Sequence, residues 1–192
     1  MKILALTTLF FLTGCAASFV SQYNVEKSVD EFNDNNVTVT MSGGAIDVDF
    51  IGIVTEPAEL NPRIVKNKNN ELLYASLVFN LEQNHLNWLN ISKDSQMTLL
   101  LNDGKNKIIL KANYGDTNYS ISGATTSKYW DMGSFSISYS DLKEIGLAKN
   151  IKIRVSGISS SIDFPRTNKK IIENLIPNFR TFYDAEVAPY IN

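Results

Sequence analysis

From Val37 onward the chain alternates apolar and polar residues with the period of two that a half-buried strand requires. "VTVTM" (37–41) alternates. So does "AIDVDFIGIV" (45–54), with Ile46, Val48 and Phe50 read as inward and Asp47 and Asp49 as outward. Ser42-Gly43-Gly44 between the two runs reads as a hairpin turn. "ELLYASLVFNL" (71–81) is longer and more continuously apolar, which predicts a central strand. The sharpest local signal is "QMTLLLNDGKNKIILKA" (96–112). Its Asp103-Gly104 pair predicts a type I′ turn, because both central positions of that turn need positive φ. That turn sets Leu99 opposite Ile108 and Met97 opposite Leu110. Leu100 and Ile109 fall on the other face, which is therefore expected to be covered as well, by a helix or a second layer.

Other segments are less regular. "YNVEKSVDEF" (23–32) is read as a strand because Asn-rich turn signals follow at once, although Val25, Val29 and Phe32 also fit a helical stripe. "NHLNWLNIS" (84–92) reads as an irregular crossing or a short helical turn. "NYSIS" and "GSFSISYS" add strands, and Ser140 is expected to cap a short helix, "DLKEIGLAK", with Asp141 at its positive end. "IKIRVSG" and "SSIDF" form a last hairpin that Pro165 ends. Ile171, Ile172, Leu175, Ile176, Phe179, Phe182 and Tyr183 keep a helical period through Pro177, where a kink or restart is expected. The fold class is mainly β (α+β): an antiparallel β-sandwich or curved sheet, with a short helix near 140–148 and a C-terminal helix near 168–185.

The amino terminus has a different character. Met1-Lys2 precedes "ILALTTLFFL", an apolar run too short for a stable bilayer span, which needs roughly 20 residues, but of the length of a secretory signal. Leu12-Thr13-Gly14-Cys15 follows directly. These four residues resemble the lipobox of bacterial lipoproteins, and the resemblance covers the first 18 or so residues. It implies that the Cys15 thiol takes a diacylglyceryl group, that residues 1–14 are removed, and that the new terminus is acylated, as with palmitate. Ala16 stands where Asp would resemble an inner-membrane retention signal, which implies the outer membrane, at its periplasmic face or the cell surface. Residues 15–22 then form a short tether and 23–192 a single β-rich domain. Beyond the lipobox, the order of Asp-Gly hairpin, capped helix, strand pair and C-terminal helix resembles only uncharacterised exported bacterial domains.

Composition narrows the chemistry. Of 192 residues, 44% are hydrophobic and 20% charged, as in a globular protein with a proper core. The formal net charge is −2, or −3 (17 basic against 20 acidic residues) once Lys2 leaves with the signal. Neither value suits nucleic acid, whose recognition needs clustered Lys and Arg. One cysteine and one histidine exclude a Cys/His zinc set and an intramolecular disulfide, and no P-loop, dinucleotide fingerprint, nucleophile elbow or EF-hand loop is present.

The residues left to weigh are few. His85 is the sole candidate for a histidine base, and an ordinary surface or loop histidine is the better explanation of it. Asp47 with Asp49, and Asp30, Glu31 and Asp34, are carboxylate groups that a solvated strand face and a turn already explain. No catalytic, metal or cofactor site is assigned. "SKYWDMG" supplies the candidate binding surface: Tyr129, Trp130 and Asp131, with Trp88 and Tyr119 as contributors, since aromatic faces beside a carboxylate suit sugar or peptide, although packing of Trp130 across a sheet edge is the plainer reading. The expected function is a membrane-anchored, non-catalytic envelope lipoprotein that binds a protein or glycan partner. The alternatives are a carboxylate-based glycan hydrolase and a strand-addition chaperone or inhibitor.

Overall fold

The computed structural model describes residues 22–51, 54–83, 88–122, 126–166 and 171–191. Cys15 with the segment before it, His85, and the side chain of Asp49 lie outside the described residues. Among the described residues, ten strands and two α-helices occur in the order β1 (Asn24–Asp30), β2 (Asn36–Ser42), β3 (Ala45–Ile51), β4 (Val54–Lys66), β5 (Leu72–Gln83), β6 (Gln96–Leu101), β7 (Asn106–Ser122), β8 (Thr126–Ile137), α1 (Tyr139–Leu147), β9 (Ile151–Ser156), β10 (Ser161–Phe164) and α2 (Leu175–Glu186). All strand pairs are antiparallel, in the order β1-β2-β4-β5-β8-β7-β6-β9-β10, with β3 alongside β4. The fold is thus mainly antiparallel β with two short helices, and the sheet is not closed.

Strand β7 joins the two halves of the sheet. Its first part pairs with β6 and its second with β8, and the register shifts between Ala112 and Tyr114 where one pairing gives way to the other. The inward faces share one apolar core, in which the rings of Phe79 (β5) and Phe164 (β10) meet at 5.7 Å. Leu142 and Ile145 of α1, and Leu175, Ile176, Phe179 and Phe182 of α2, close that core.

Local chemistry explains several elements. The β6–β7 turn has positive φ at Asp103 and Gly104, and the observed register pairs Leu99 with Ile108 and Met97 with Leu110. Strand β5 is central, between β4 and β8. The α1 cap is Ser138 and not Ser140: its hydroxyl accepts from the Asp141 N–H at 3.0 Å, so the helix begins at Tyr139. A 3-10 turn over Ile171–Asn174 precedes α2, so the helix restarts at Leu175 and Pro177 falls in its first turn, where no N–H is needed.

Three expectations are overturned. Ser42-Gly43-Gly44 does not make a hairpin, because β2 and β3 lie one after the other along the same edge of β4. Gly43 takes a positive φ of 89°, and the Gly44 N–H is held by the Asn61 side-chain oxygen at 2.8 Å, so the pair bends one continuing edge. Asp47 is not outward. The register shifts between Ala45 and Asp47, both Ile46 and Asp47 are turned inward, and the Arg166 guanidinium donates to the buried Asp47 carboxylate at 2.5 Å. On the face that carries the half-buried Leu100, Ile109 is 51% exposed, so no described layer covers the face at that position.

The C-terminal end is tied down by charge. Lys66, only 3% exposed, donates to Glu186 at 3.3 Å and stacks on the Tyr190 ring at 3.7 Å, while Lys27 pairs with the same carboxylate at 2.8 Å. Burial alone would raise the Glu186 pKa, but the hydrogen bonds and charges of Lys27 and Lys66 outweigh it and hold the group below its ordinary value. A depressed carboxylate contributes stability that is present above its unfolded pKa and is lost as pH falls through the folded one. Acid titration of stability is therefore expected to show a loss below the usual glutamate range, and Glu186→Gln to flatten that part of the profile. Parallel profiles for the two proteins would contradict this.

Candidate functional site

Alternation along β8 separates the residues that stand together in the sequence. Tyr129 and Asp131 point to the core side, whereas Trp130 and Met132 lie on the outer face. Tyr129, Trp130 and Asp131 therefore do not form one surface.

On the outer face, Trp130 sits between Glu82 of β5 and Asn118 of β7, its direct cross-strand neighbours. The next row runs Glu59, Asn80, Met132, Asp116 across β4, β5, β8 and β7. These rows line a shallow groove of about 450 Å³ whose walls include Pro57, Glu59, Asn80, Glu82, Asn118 and Trp130. That volume is in the range of small-molecule sites, roughly 300–1,000 Å³. Lys128 pairs with Glu82, Asn61 donates to Glu59 at 3.2 Å, and Asn118 donates to Asp116 at 3.0 Å. The result is a partly exposed indole ringed by amides and carboxylates on a rigid four-strand platform.

The core side of the same sheet end is built differently. Residues 88–91 form a strap that crosses between the two halves of the sheet. Asp131, fully buried, accepts from the Leu89 N–H at 3.0 Å, the Asn90 N–H at 3.1 Å and the Thr117 hydroxyl at 2.6 Å. From the other side, the β9–β10 turn donates Ile158 N–H to Asn90 O and Ser159 N–H to Leu89 O, both at 3.1 Å, and the Ser160 hydroxyl to Trp88 O at 2.8 Å. Asp131 is thus spent on holding backbone and is not presented to a ligand. The strap places Trp88 against Tyr129 at 5.5 Å, and Tyr119, 65% exposed, follows at 6.3 Å from Tyr129. These three rings cap the end of the core.

The carboxylates weighed in the sequence serve local structure. Asp47 is paired with Arg166, and Asp30 accepts the Phe32 N–H at 3.1 Å in the exposed β1–β2 turn that also holds Glu31 and Asp34. Sequence reasoning missed Glu59, Asn80, Glu82 and Asn118. Each carries a period-two signal within its own strand, but only the order β4-β5-β8-β7 brings them beside Trp130. Comparison with family models, with curated proteins and with solved structures returns no match.

Proposed function

We propose that this chain is a lipid-anchored protein of the bacterial envelope, held to the outer membrane through Cys15, whose domain is a non-catalytic glycan-binding module. The anchor rests on the Leu12-Thr13-Gly14-Cys15 motif behind a short apolar run. The binding role rests on one observation: Trp130 lies in a groove between Glu82 and Asn118, with Asn80 and Glu59 in the adjoining row. A sugar ring has an apolar C–H face and a rim of hydroxyls. An indole takes the first, and the flanking carboxylates and amides bond the second.

Calorimetric titration of the detergent-solubilised full chain with soluble peptidoglycan fragments tests the binding role. Trp130→Ala is expected to weaken binding about tenfold or more, as for a central aromatic anchor. Trp88→Phe, on the other side of the sheet, is expected to leave binding unchanged. Equal affinity in the wild type and Trp130→Ala removes the groove as the site. For the anchor, Cys15→Ser should abolish palmitate labelling; a variant that is still labelled and fully membrane-bound rejects it.

A further inference from the structure

The outer face of the β7-β6-β9-β10 half of the sheet carries the opposite charge to the rest of the molecule. Cross-strand pairing sets out three rows there: Lys107, Leu100, Lys152; then Ile109, Thr98, Arg154, Asp163; then Lys111, Gln96, Ser156, Ser161. Four cations thus face outward with a single carboxylate, in a chain whose net charge is −2. Asp163 is already bound by Arg154, in a two-pronged pair at 2.5 and 2.7 Å. Lys107, Lys111 and Lys152 are exposed and have no side-chain partner among the described residues. Among them stands the half-exposed Ile109, and the last residue of α1, Leu147, is exposed two positions before Lys149. A cleft of about 1090 Å³ opens beside this face, lined by the cations Lys107, Lys149, Lys152, Arg154 and Arg180 and by the carboxylates Asp103, Asp163 and Glu173, so cations are in excess there.

We infer that this face docks on the anionic phospholipid headgroups of the membrane that holds the protein, an inference that rests on the lipid anchor proposed above. Charge complementarity is the first argument. Each Lys or Arg close to an anionic bilayer adds an attraction that falls off within a Debye length, and apolar residues interleaved with lysines suit the headgroup boundary. The spread of the cations is the second. Adjacent strands lie about 4.8 Å apart, so the cations of β7 and β9, with β6 between them, are spread about 10 Å across the sheet, as an array of headgroups would be met. The tether is the third. Seven residue steps from Cys15 to Gln22 reach at most about 25 Å, so one face of the domain must lie near the bilayer. Gln22 emerges beside Gly43, whose carbonyl is bonded by Asn178 of α2 at 3.0 Å, and Pro177, Arg180 and Thr181 of that helix wall the same cleft.

Lysine acetylation of the purified full chain, reconstituted into vesicles of phosphatidylcholine alone or with phosphatidylglycerol, reads this contact. Lys107, Lys111 and Lys152 are expected to label about fivefold more slowly in the anionic vesicles, with Lys68, in the distant β4–β5 turn, unchanged. Salt at about 0.5 M should erase the difference, and the Lys107→Gln/Lys152→Gln variant should lose the protection at Lys111. Equal rates in the two kinds of vesicle overturn the inference, as does protection by a soluble anionic polysaccharide without protection by anionic vesicles. Intact mass reads the anchor separately. Should Cys15 carry no lipid, flotation with anionic but not neutral vesicles still supports docking, and no flotation with either refutes it.

Discussion

Asp131→Ala is expected to lower the unfolding free energy by about 3–5 kcal/mol. The carboxylate accepts two strap N–H groups, from Leu89 and Asn90, and the Thr117 hydroxyl. Leu89 is itself fully buried, so its amide has no route to water when the acceptor is removed. A buried donor left unpaired costs about 1–3 kcal/mol, more than the net value of the bond that held it. Two such donors, together with the space left in the core, account for the range. Asp131→Asn keeps an acceptor of similar shape and should recover about half of the loss. Urea unfolding measures both. Loosening of the strap should also shift Trp88 fluorescence, because that ring is packed on Tyr129 by the same segment. If Asp131→Ala unfolds within about 1 kcal/mol of the wild type, the strap is not the tie described above.

The case of Asp131 shows what the sequence made legible and what it did not. The β6–β7 register was readable because Asp103-Gly104 admits few turn geometries and alternation on both sides locks the pairing. The central position of β5 followed from its continuous apolar run, and the α2 core face from helical spacing. What failed depends on partners far away in the chain. Gly43-Gly44 looks like a hairpin turn until β4 is seen to pair with the strands on both sides of it. Asp47 reads as solvated because nothing near it in the sequence announces Arg166, its cation. The Tyr129-Trp130-Asp131 run looked like one surface, yet a strand sends its odd and even residues to opposite faces. The groove around Trp130 needed the strand order, which local pattern does not encode. The apolar face at Leu100 and Ile109 was visible as a pattern, but that Ile109 stays exposed follows from where the two helices pack.

The strap also needs empty space, and glycine supplies it. A Cβ built on Gly157 would lie 1.9 Å from the Leu89 carbonyl oxygen and 2.5 Å from its carbon, closer than any real contact. Both are backbone atoms, so no rotamer change relieves the overlap. Either the strap or the β9–β10 turn must move. Movement breaks the Ile158 and Ser159 bonds to the strap and the Gly157–Ser160 closure of the turn, and it unpacks the buried Leu89 and Ile91. Bonds of about 0.5–1.5 kcal/mol each, with part of the burial of two aliphatic side chains, give an expected cost for Gly157→Ala of about 3–5 kcal/mol. Gly104→Ala is the contrast. Its φ is 82° and nothing lies within 4 Å of the added Cβ, so only the left-handed backbone is penalised, at about 1–2 kcal/mol. Both variants change glycine to alanine in a turn between two strands, yet crowding should make the first far more costly than conformation makes the second. Urea midpoints compare them directly. Equal destabilisation would mean that the close approach of the strap to Gly157 does not carry the joint between the two halves of the sheet.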